Sequence, residues 1–152
     1  MLSEEMKQLI ATTRLCFAAT VNADGTPNLS PKATLMALDD RRIAFANIAS
    51  PTTIANLKRN PAIEINIVDI FRRRGYRFAG KAALAEPGAA EFETVAGKLW
   101  AGVGRDYPVH QVVVVTVERA LPVLSPAYTF GGASEDELIP LWQGNYGVRP
   151  AE

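Results

Sequence analysis

The sequence predicts a mainly β fold, a small antiparallel barrel with short helices at its ends. The predicted elements run helix, three strands, helix, two strands, helix, strand and tail, without the regular strand and helix alternation of a doubly wound parallel sheet. With 152 residues, 48% of them hydrophobic, the chain is the size of one domain with its own core. We expect residues 1–124 to form this domain and residues 125–152 to form a C-terminal extension that acts as a lid or dimer strap.

Polar and turn residues delimit the elements of the N-terminal part. Ser3, followed by two glutamates, has the pattern of an N-cap and predicts a short amphipathic helix. The apolar run at residues 14–21 and the extended stretch at residues 27–38 flank the turn signal Ala23-Asp24-Gly25 and predict a β-hairpin. A third strand is predicted at residues 43–48, which are too few for a typical helix.

The rest of the chain carries both helical and strand periodicities. Ser50 followed by Pro51 is typical of a helix start, and Asn60 followed by Pro61 is typical of a helix end. Apolar and polar residues alternate at residues 62–69, which predicts a half-buried strand. The remaining predicted elements are a strand at residues 76–82, a helix at residues 92–100 and a buried strand at residues 111–117.

Charge and residue counts exclude several classes of function. The 16 basic residues balance the 16 acidic ones, so no broad positive field would attract nucleic acid or a membrane. The single Cys16 and the single His110 exclude an intramolecular disulfide and a two-histidine metal site, so we expect no metal. The acidic start of the chain is unlike a secretory signal, and no apolar run approaches the roughly 20 residues of a membrane span. We therefore expect a cytoplasmic protein.

The usual catalytic motifs are missing from the sequence. Gly102-Val103-Gly104 lacks the third glycine and the preceding strand of a dinucleotide-binding loop. A catalytic triad would need His110, but the chain has no nucleophile elbow, so we interpret this residue as a partly exposed strand-end histidine. Cys16 lies in an apolar strand, and we interpret it as an inert core thiol.

A polar face on the second strand is the first sign of a binding site. Alternation places Ser30, Lys32 and Thr34 together, opposite the apolar face of the same strand. Pro31 cannot donate a backbone hydrogen bond, which indicates a sheet edge or a bulge. These residues either contact a ligand or form a solvated strand face.

The second sign is the segment Ser50-Pro51-Thr52-Thr53. It places three hydroxyl groups and free backbone N–H groups at a helix N-terminus, which is a favourable position for a phosphate. The same four residues also suit an ordinary capped helix start. Asn47, a polar residue at the end of an apolar strand, lies just before this helix.

Together these segments resemble the FMN-binding split-barrel family related to pyridoxamine 5′-phosphate oxidase. The motifs lie at residues 17–27, 28–34, 43–47 and 50–61, and the resemblance extends over roughly residues 5–120. It implies a six-stranded antiparallel split β-barrel that forms a homodimer, with one FMN in each of two clefts between the subunits. It does not imply vitamin B6 oxidation, because residues 147–150 keep little of the basic C-terminal segment that holds the substrate of the oxidase.

The resemblance also implies a set of residues for the flavin site. Those along the flavin ring would be Ser30, Pro31, Lys32, Asn47 and Ile48. Those around the phosphate would be Ser50, Thr52 and Thr53, although some relatives carry Arg or Lys at the last two positions. A cation near N1 of the flavin favours the reduced form, and Lys32 would supply it.

Two further residues complete the predicted site. One arginine of the triplet at residues 72–74 would add positive charge near the phosphate, and we assign this role to Arg74. The alternative is that the triplet forms a solvated basic loop. Trp100 would border the flavin ring, with packing as the alternative. The other aromatic candidates for this border are Tyr128, Phe130, Trp142 and Tyr146.

The sequence thus predicts an FMN-binding flavoprotein, an oxidoreductase that transfers a hydride or electrons between a small molecule and non-covalently bound FMN at a dimer interface. The substrate, the reductant and any catalytic side chain stay unassigned. The alternatives are a flavin carrier without an organic substrate, a barrel that binds deazaflavin or haem, and a cofactor-free dimeric binding module. Deazaflavin has an acidic tail that calls for more cations than Lys32 and the arginine triplet supply. Haem would use His110 as its ligand.

Overall fold

The computed structural model describes residues 1–149, and the last three residues of the predicted extension lie outside the described residues. Within this part of the chain the helices are α1 (Glu4–Thr12), α2 (Pro51–Arg59), α3 (Ala90–Val103), α4 (Pro126–Thr129) and α5 (Glu135–Asn145). The strands are β1 (Cys16–Val21), β2 (Pro27–Lys32), β3 (Met36–Ala37), β4 (Arg42–Asn47), β5 (Ala62–Asp69), β6 (Arg74–Ala85) and β7 (Gln111–Leu124). Among the residues described, no helix has both the length and the apolar character needed to cross a bilayer.

The strands form one antiparallel sheet in the order β2-β1-β5-β6-β7-β4-β3, which curls into a split barrel. This confirms the predicted mainly β fold, with seven strands in the described residues where six were predicted. The extra strand arises because the predicted stretch at residues 27–38 is interrupted. Its first half, β2, pairs with β1, and its second half, β3, pairs with β4. Residues 33–35 therefore cross from one edge of the sheet to the other.

The β1–β2 hairpin turns where the sequence predicts it. Asp24 Oδ1 accepts hydrogen bonds from the backbone N–H of Thr26 at 3.0 Å and from the Thr26 hydroxyl at 2.6 Å. Gly25 has a φ of +84°, a conformation that residues with a Cβ rarely adopt. The aspartate and the glycine thus supply the two local requirements of a tight hairpin.

Strands β6 and β7 are longer than the segments predicted at residues 76–82 and 111–117. They pair from Arg74 opposite Leu124 to Ala85 opposite Val112, and one bulge interrupts the register between Ala79 and Gly80. A Cβ on Gly80 would lie 2.0 Å from the Thr116 carbonyl oxygen. The absence of a side chain there lets the two strands stay in contact through the bulge.

The core has two layers, because both faces of β4 and β7 are covered. Residues such as Phe45 and Val113 point into the barrel, where they pack with Ile65 and Phe78. Ala44, Ala46, Val112 and Val114 point outward and pack against Phe92, Val95 and Ala96 of α3. The predicted burial of the valine-rich strand therefore holds for residues 112–115, while much of the rest of β7 is exposed.

The C-terminal segment contains helices that the sequence periodicity did not reveal. Helix α5 begins with a capping box, in which Ser134 and Glu137 each bond the other's backbone N–H. Only Leu138 of this helix is buried, and Pro140 lies inside it. The apolar residues Leu138, Leu141 and Trp142 give α5 only about one turn of helical periodicity, around Pro140, which explains why the helix was not predicted.

Candidate functional site

The candidate site lies at the split of the barrel, where the β2 edge approaches the end of β4 and the start of α2. Thr34, in the segment that crosses the split, accepts a hydrogen bond from the backbone N–H of Ala46 at 3.0 Å. Asn47 ends β4, and Pro51 begins α2 only four residues later. The polar segment of the second predicted strand and the predicted helix start are therefore brought together.

The ammonium group of Lys32 is buried in this split, with 7% of the residue exposed. It donates to the hydroxyl of Ser30, to Ser50 Oγ at 2.6 Å and to the Pro31 carbonyl at 3.1 Å. The Phe45 ring lies 5.6 Å from it. No carboxylate of the described residues forms an ion pair with Lys32, and burial lowers the pKa of its side chain below the ordinary value.

The orientation of β2 decides between the two interpretations of its polar face. Lys32 points inward, whereas Leu29 on the opposite face is 65% exposed. A buried ammonium group without a negative partner is costly unless something compensates its charge. The solvated-face interpretation therefore does not describe Lys32.

The start of α2 lies directly beside this lysine. Ser50 occupies the N-cap position, but its hydroxyl accepts from Lys32 and makes no capping bond to the helix. Its backbone N–H donates to Asn47 Oδ1 at 3.1 Å, and Asn47 Nδ2 donates to Gln111 Oε1 at 2.9 Å. Gln111, which the sequence analysis did not select, thus orients the Asn47 amide. Hydrogen bonds consequently link Gln111, Asn47, Ser50 and Lys32 in series, and the link between Asn47 and Ser50 uses the Ser50 backbone N–H.

Thr53 carries a second buried polar group that lacks an interaction partner. The residue is 1% exposed, and its Oγ1 atom is buried without a hydrogen-bond partner. Thr52, its neighbour, is exposed. The first N–H groups of a helix have no carbonyl acceptor within the helix, so those of Thr52 and Thr53 add donors at the same end. The helix start combines a buried cation, hydroxyl groups and free donors.

A buried polar network holds the middle of α2 against the β1–β2 hairpin. Asn56 Nδ2 donates to Thr20 Oγ1 at 3.0 Å and to Asn22 Oδ1 at 2.9 Å. Arg59 donates to Asn56 Oδ1 at 2.8 Å, and Asn28 donates to Thr20 Oγ1 at 3.2 Å. Sequence reasoning missed this network, because Thr20 and Asn56 are 36 residues apart. It fixes α2 relative to the strand that carries Lys32.

Cys16 lies next to Lys32 in the β1–β2 register and is a free, buried thiol. Burial raises its pKa to about 11, which keeps it neutral at physiological pH. It therefore supplies no negative charge to balance Lys32. The interpretation of Cys16 as a core thiol agrees with this environment.

The side chains of three predicted site residues, Ile48, Arg74 and Trp100, lie away from the Lys32 cluster. Trp100 stands on α3, against the outer face of the sheet, and donates to the Tyr107 carbonyl at 2.9 Å. Ile48 packs in the same outer cluster. Arg74 is three strands from β2 in the sheet order and pairs with Glu5 at 2.8 Å. Pro31 is exposed beside Lys32, and His110 is exposed at the start of β7.

The remaining arginines of the triplet are also engaged within the protein. Arg72 pairs with Glu135 at 2.6 Å, and the Arg73 guanidinium lies 3.8 Å from the centroid of the Trp142 ring. The triplet thus contacts other parts of the chain through ion pairs and an aromatic ring, while Arg72 stays exposed to solvent.

The residues at the split fit an anionic ligand. The buried ammonium group of Lys32, which has no carboxylate partner among the described residues, and the N-terminus of α2 beside it both favour negative charge at one place. The fold and the site together define a split β-barrel protein whose seam holds a buried positive charge without an ion-pair partner among the described residues.

Comparison with known proteins identifies the family. The family model for pyridoxamine 5′-phosphate oxidase matches residues 2–124. The crystal structure of HupZ from Group A Streptococcus is 37% identical, covers 82% of this chain and 96% of that chain, and superposes with a TM-score of 0.69. The chain therefore belongs to the pyridoxamine 5′-phosphate oxidase family, which confirms the resemblance seen in its motifs.

More distant structures show the same fold. An FMN-binding protein from Syntrophomonas wolfei is 20% identical, covering 80% of this chain and 86% of that chain, with a TM-score of 0.69. A pyridoxamine 5′-phosphate oxidase-like protein from Lactobacillus delbrueckii is 24% identical, covering 79% of this chain and 93% of that chain, with a TM-score of 0.65. The curated proteins contain no detectable match to the chain.

Proposed function

We propose that this protein binds FMN non-covalently at the split of the barrel and serves as an oxidoreductase for a small molecule. The observation that carries the proposal is the buried ammonium group of Lys32, which has no carboxylate partner among residues 1–149. The phosphate of FMN is a dianion of the kind that a helix N-terminus binds. Membership of the family and the FMN-binding protein of the same fold support this choice of anion.

The proposed phosphate site uses hydroxyl, N–H and ammonium groups at the start of α2 and the end of β2. Ser50 and Thr53 offer hydroxyl groups, the first turn of α2 offers N–H donors, and Lys32 offers the charge. Thr52 lies at the exposed side of the same turn. The family members that carry Arg or Lys at the positions of Thr52 and Thr53 would place charge there; here the cation comes from β2.

FMN, when bound, supplies the acceptor for a hydride or for electrons, so the chain itself has to bind, orient and shield. Asn47 is held by Ser50 on one side and by Gln111 on the other, which gives its amide a fixed orientation toward the split. Ser30 extends the same wall along β2, and Pro31 contributes its carbonyl oxygen, which accepts from Lys32. In this proposal these residues follow the ring system.

We further propose that a second copy of the chain covers the hairpin end of the β1–β2 face. Val21 and Leu29 are 37% and 65% exposed on this face. Two large aliphatic side chains that face water on neighbouring strands are typical of a surface that another protein covers. A homodimer of this kind would also border the split from outside.

The experiment is a titration of flavin fluorescence with two ligands and two variants. We expect FMN to bind at least tenfold more tightly than riboflavin, which lacks the phosphate. Thr53→Val keeps the shape of the buried side chain but removes its hydroxyl, and it should reduce this preference. Thr52→Val, at the exposed neighbouring position, is the matched control and should change the preference less.

Two outcomes would reject the proposal. Equal affinity for FMN and riboflavin would show that the split does not bind the phosphate, and the absence of binding by either flavin would remove the flavoprotein assignment. The FMN-bound protein is then mixed with a reduced nicotinamide and a small-molecule acceptor. Saturable oxidation of the nicotinamide favours an enzyme over a flavin carrier. Slow reduction that does not saturate favours the carrier.

A further inference from the structure

A second concave site lies on the opposite face of β1 from Lys32. It is a cleft of about 430 Å³ between the end of α1, the outer faces of β1 and β5, and the β5–β6 turn. Its apolar wall includes Leu15, Phe17, Ile70 and Phe71, and the first three are 40–51% exposed. This volume lies in the range of clefts that hold small organic molecules.

Asp69 and Arg14 both line the cleft, but only the aspartate is paired within the protein. Asp69 Oδ1 accepts from the backbone N–H groups of Phe71 and Arg72, both at 2.9 Å, and its Oδ2 pairs with Arg72 at 3.3 Å. The aspartate is therefore neutralised within the turn. Arg14 is exposed at the cleft and forms no ion pair with any described residue. One free cation beside an apolar wall fits a molecule with an apolar body and a single acidic group.

The wall formed by the β5–β6 turn is held from behind by the C-terminal segment. Tyr146 packs edge-on against Phe71 with 6.1 Å between ring centroids, and Trp142 stacks on the Arg73 guanidinium at 3.8 Å. Glu135 pairs with Arg72 at 2.6 Å. Arg73 has a φ of 58°, which is uncommon for a residue with a side chain, so the turn depends on these contacts for its shape.

This segment lies outside the part of the chain that matches the family. The family model ends at Leu124, and the similar structures described above cover 79–82% of the chain. The cleft is lined by residues within the family match, while the residues that hold its β5–β6 turn from behind lie C-terminal to that match. A specificity that depends on them would be a property of this chain and not of the fold.

We propose that the cleft binds an apolar organic acid, that Arg14 pairs with its acidic group, and that residues 125–149 determine its shape by fixing the β5–β6 turn. The cleft and the Lys32 cluster lie on opposite faces of β1, because Cys16 points inward and Phe17 outward. The proposal consequently stands apart from FMN binding. Of the residues that we assign to the second copy, Val21 lies at the other end of β1, and Leu29 lies opposite Ala19, between Val21 and the cleft.

The test uses two fluorescent probes with the same kind of aromatic body and the full-length protein without added flavin. Anilinonaphthalene sulfonate carries an acidic group, and N-phenylnaphthylamine is neutral. We expect one sulfonate to bind per chain, saturably and at least fivefold more tightly than the neutral amine. Arg14→Gln should abolish the preference for the sulfonate and leave amine binding unchanged. Arg41→Gln, at another exposed arginine without an ion pair among the described residues, is the control and should keep the preference.

The role of the C-terminal segment is tested with Trp142→Leu, which removes the stack on Arg73. We expect binding of both probes to weaken at least threefold while the far-ultraviolet circular dichroism stays unchanged. If this variant loses its fold, Glu135→Gln replaces it, since it removes only one side-chain charge at the surface.

Three results would overturn the proposal. The first is an equal affinity of wild type and Arg14→Gln for the sulfonate. The second is unchanged probe binding when the contacts to the turn are removed. The third is sulfonate binding that becomes stronger when the protein is diluted until it is monomeric. That result would mean that a second copy covers the cleft at higher protein concentration. None of these results depends on FMN, so a failure here is distinct from a failure of the flavin assignment.

Discussion

The ammonium nitrogen of Lys32 lies 2.6 Å from the hydroxyl oxygen of Ser50, and the two residues come from opposite sides of the split. Lys32 belongs to β2 at one edge of the sheet, and Ser50 follows β4, next to the other edge. The contact joins a buried charge to the start of a helix. We expect the buried charge to lower the stability of the ligand-free protein and to favour the binding of an anion.

Lys32→Met is expected to stabilise the ligand-free protein and to weaken FMN binding at least tenfold. Methionine fills a similar volume without a charge that needs compensation, so the free energy of unfolding should rise by about 1 kcal/mol. Thermal unfolding followed by circular dichroism should then show a melting temperature about 3 °C higher for a chain of this size. Lys58→Met, at an exposed position of α2, is the control and should change neither quantity. A less stable Lys32→Met protein with normal FMN affinity would mean that Lys32 has a structural role.

The stability of the ligand-free protein is expected to depend on pH through the same lysine. Burial lowers the pKa of Lys32 in the folded state below its ordinary value of 10.5, so the unfolded chain binds more protons between the two values. The deficit in stability that Lys32 causes is fully present below the folded pKa and disappears as the pH rises toward 10.5. Urea unfolding from neutral pH upward should therefore show the difference between wild type and Lys32→Met becoming smaller. A constant difference over this range would contradict the prediction.

Asn56→Ala is expected to destabilise the protein by about 2–3 kcal/mol. The change leaves Thr20 and Asn22 with fewer partners and opens a small cavity beneath α2. Urea unfolding monitored by circular dichroism measures the effect. Asn145→Ala removes an exposed amide at the end of α5 and should stay within about 0.5 kcal/mol of wild type. Similar values for the two variants would show that the network adds little.

Two glycine substitutions are expected to have opposite effects. Gly80→Ala brings a Cβ to 2.0 Å from the Thr116 carbonyl oxygen, so the β6–β7 pairing must shift, with a cost of about 3 kcal/mol. Gly97→Ala lies in α3 with nothing near its Cβ, and it should stabilise the protein by up to about 1 kcal/mol. Melting temperatures of the two variants test the signs. A stable Gly80→Ala protein would mean that the bulge can move.

The fold was predictable from local signals to a large extent. The alternation at residues 62–69 and the turn at Asp24 and Gly25 each have a local physical cause, and both appear in the structure. The break between β2 and β3 was not predictable, because residues 33–35 are extended in either case and only the partner strands differ. The apolar periodicity of helix α5 is short and includes Pro140, so the sequence pattern did not indicate a helix there.

The candidate site was predictable only in part. Strand alternation and the helix start selected Ser30, Lys32 and Ser50, which lie together in the structure. That Lys32 is buried depends on the curl of the whole sheet, and the pairing of Asn47 with Gln111 joins residues 64 apart. Contacts at such separations leave no periodic trace in a sequence. The roles assigned to these residues stay predictions until ligand binding is measured.

The segment that crosses the split also bears on self-association, because it lies between the two open edges of the sheet. An open sheet edge offers unpaired backbone groups on which another chain can add a strand and begin an aggregate. Here Pro27 and Pro31 remove two N–H groups from β2, and the Thr34 hydroxyl takes the N–H of Ala46 on β4. The two edges thus face each other across side chains. Opening this seam, for example by Thr34→Val, would expose a template for self-association.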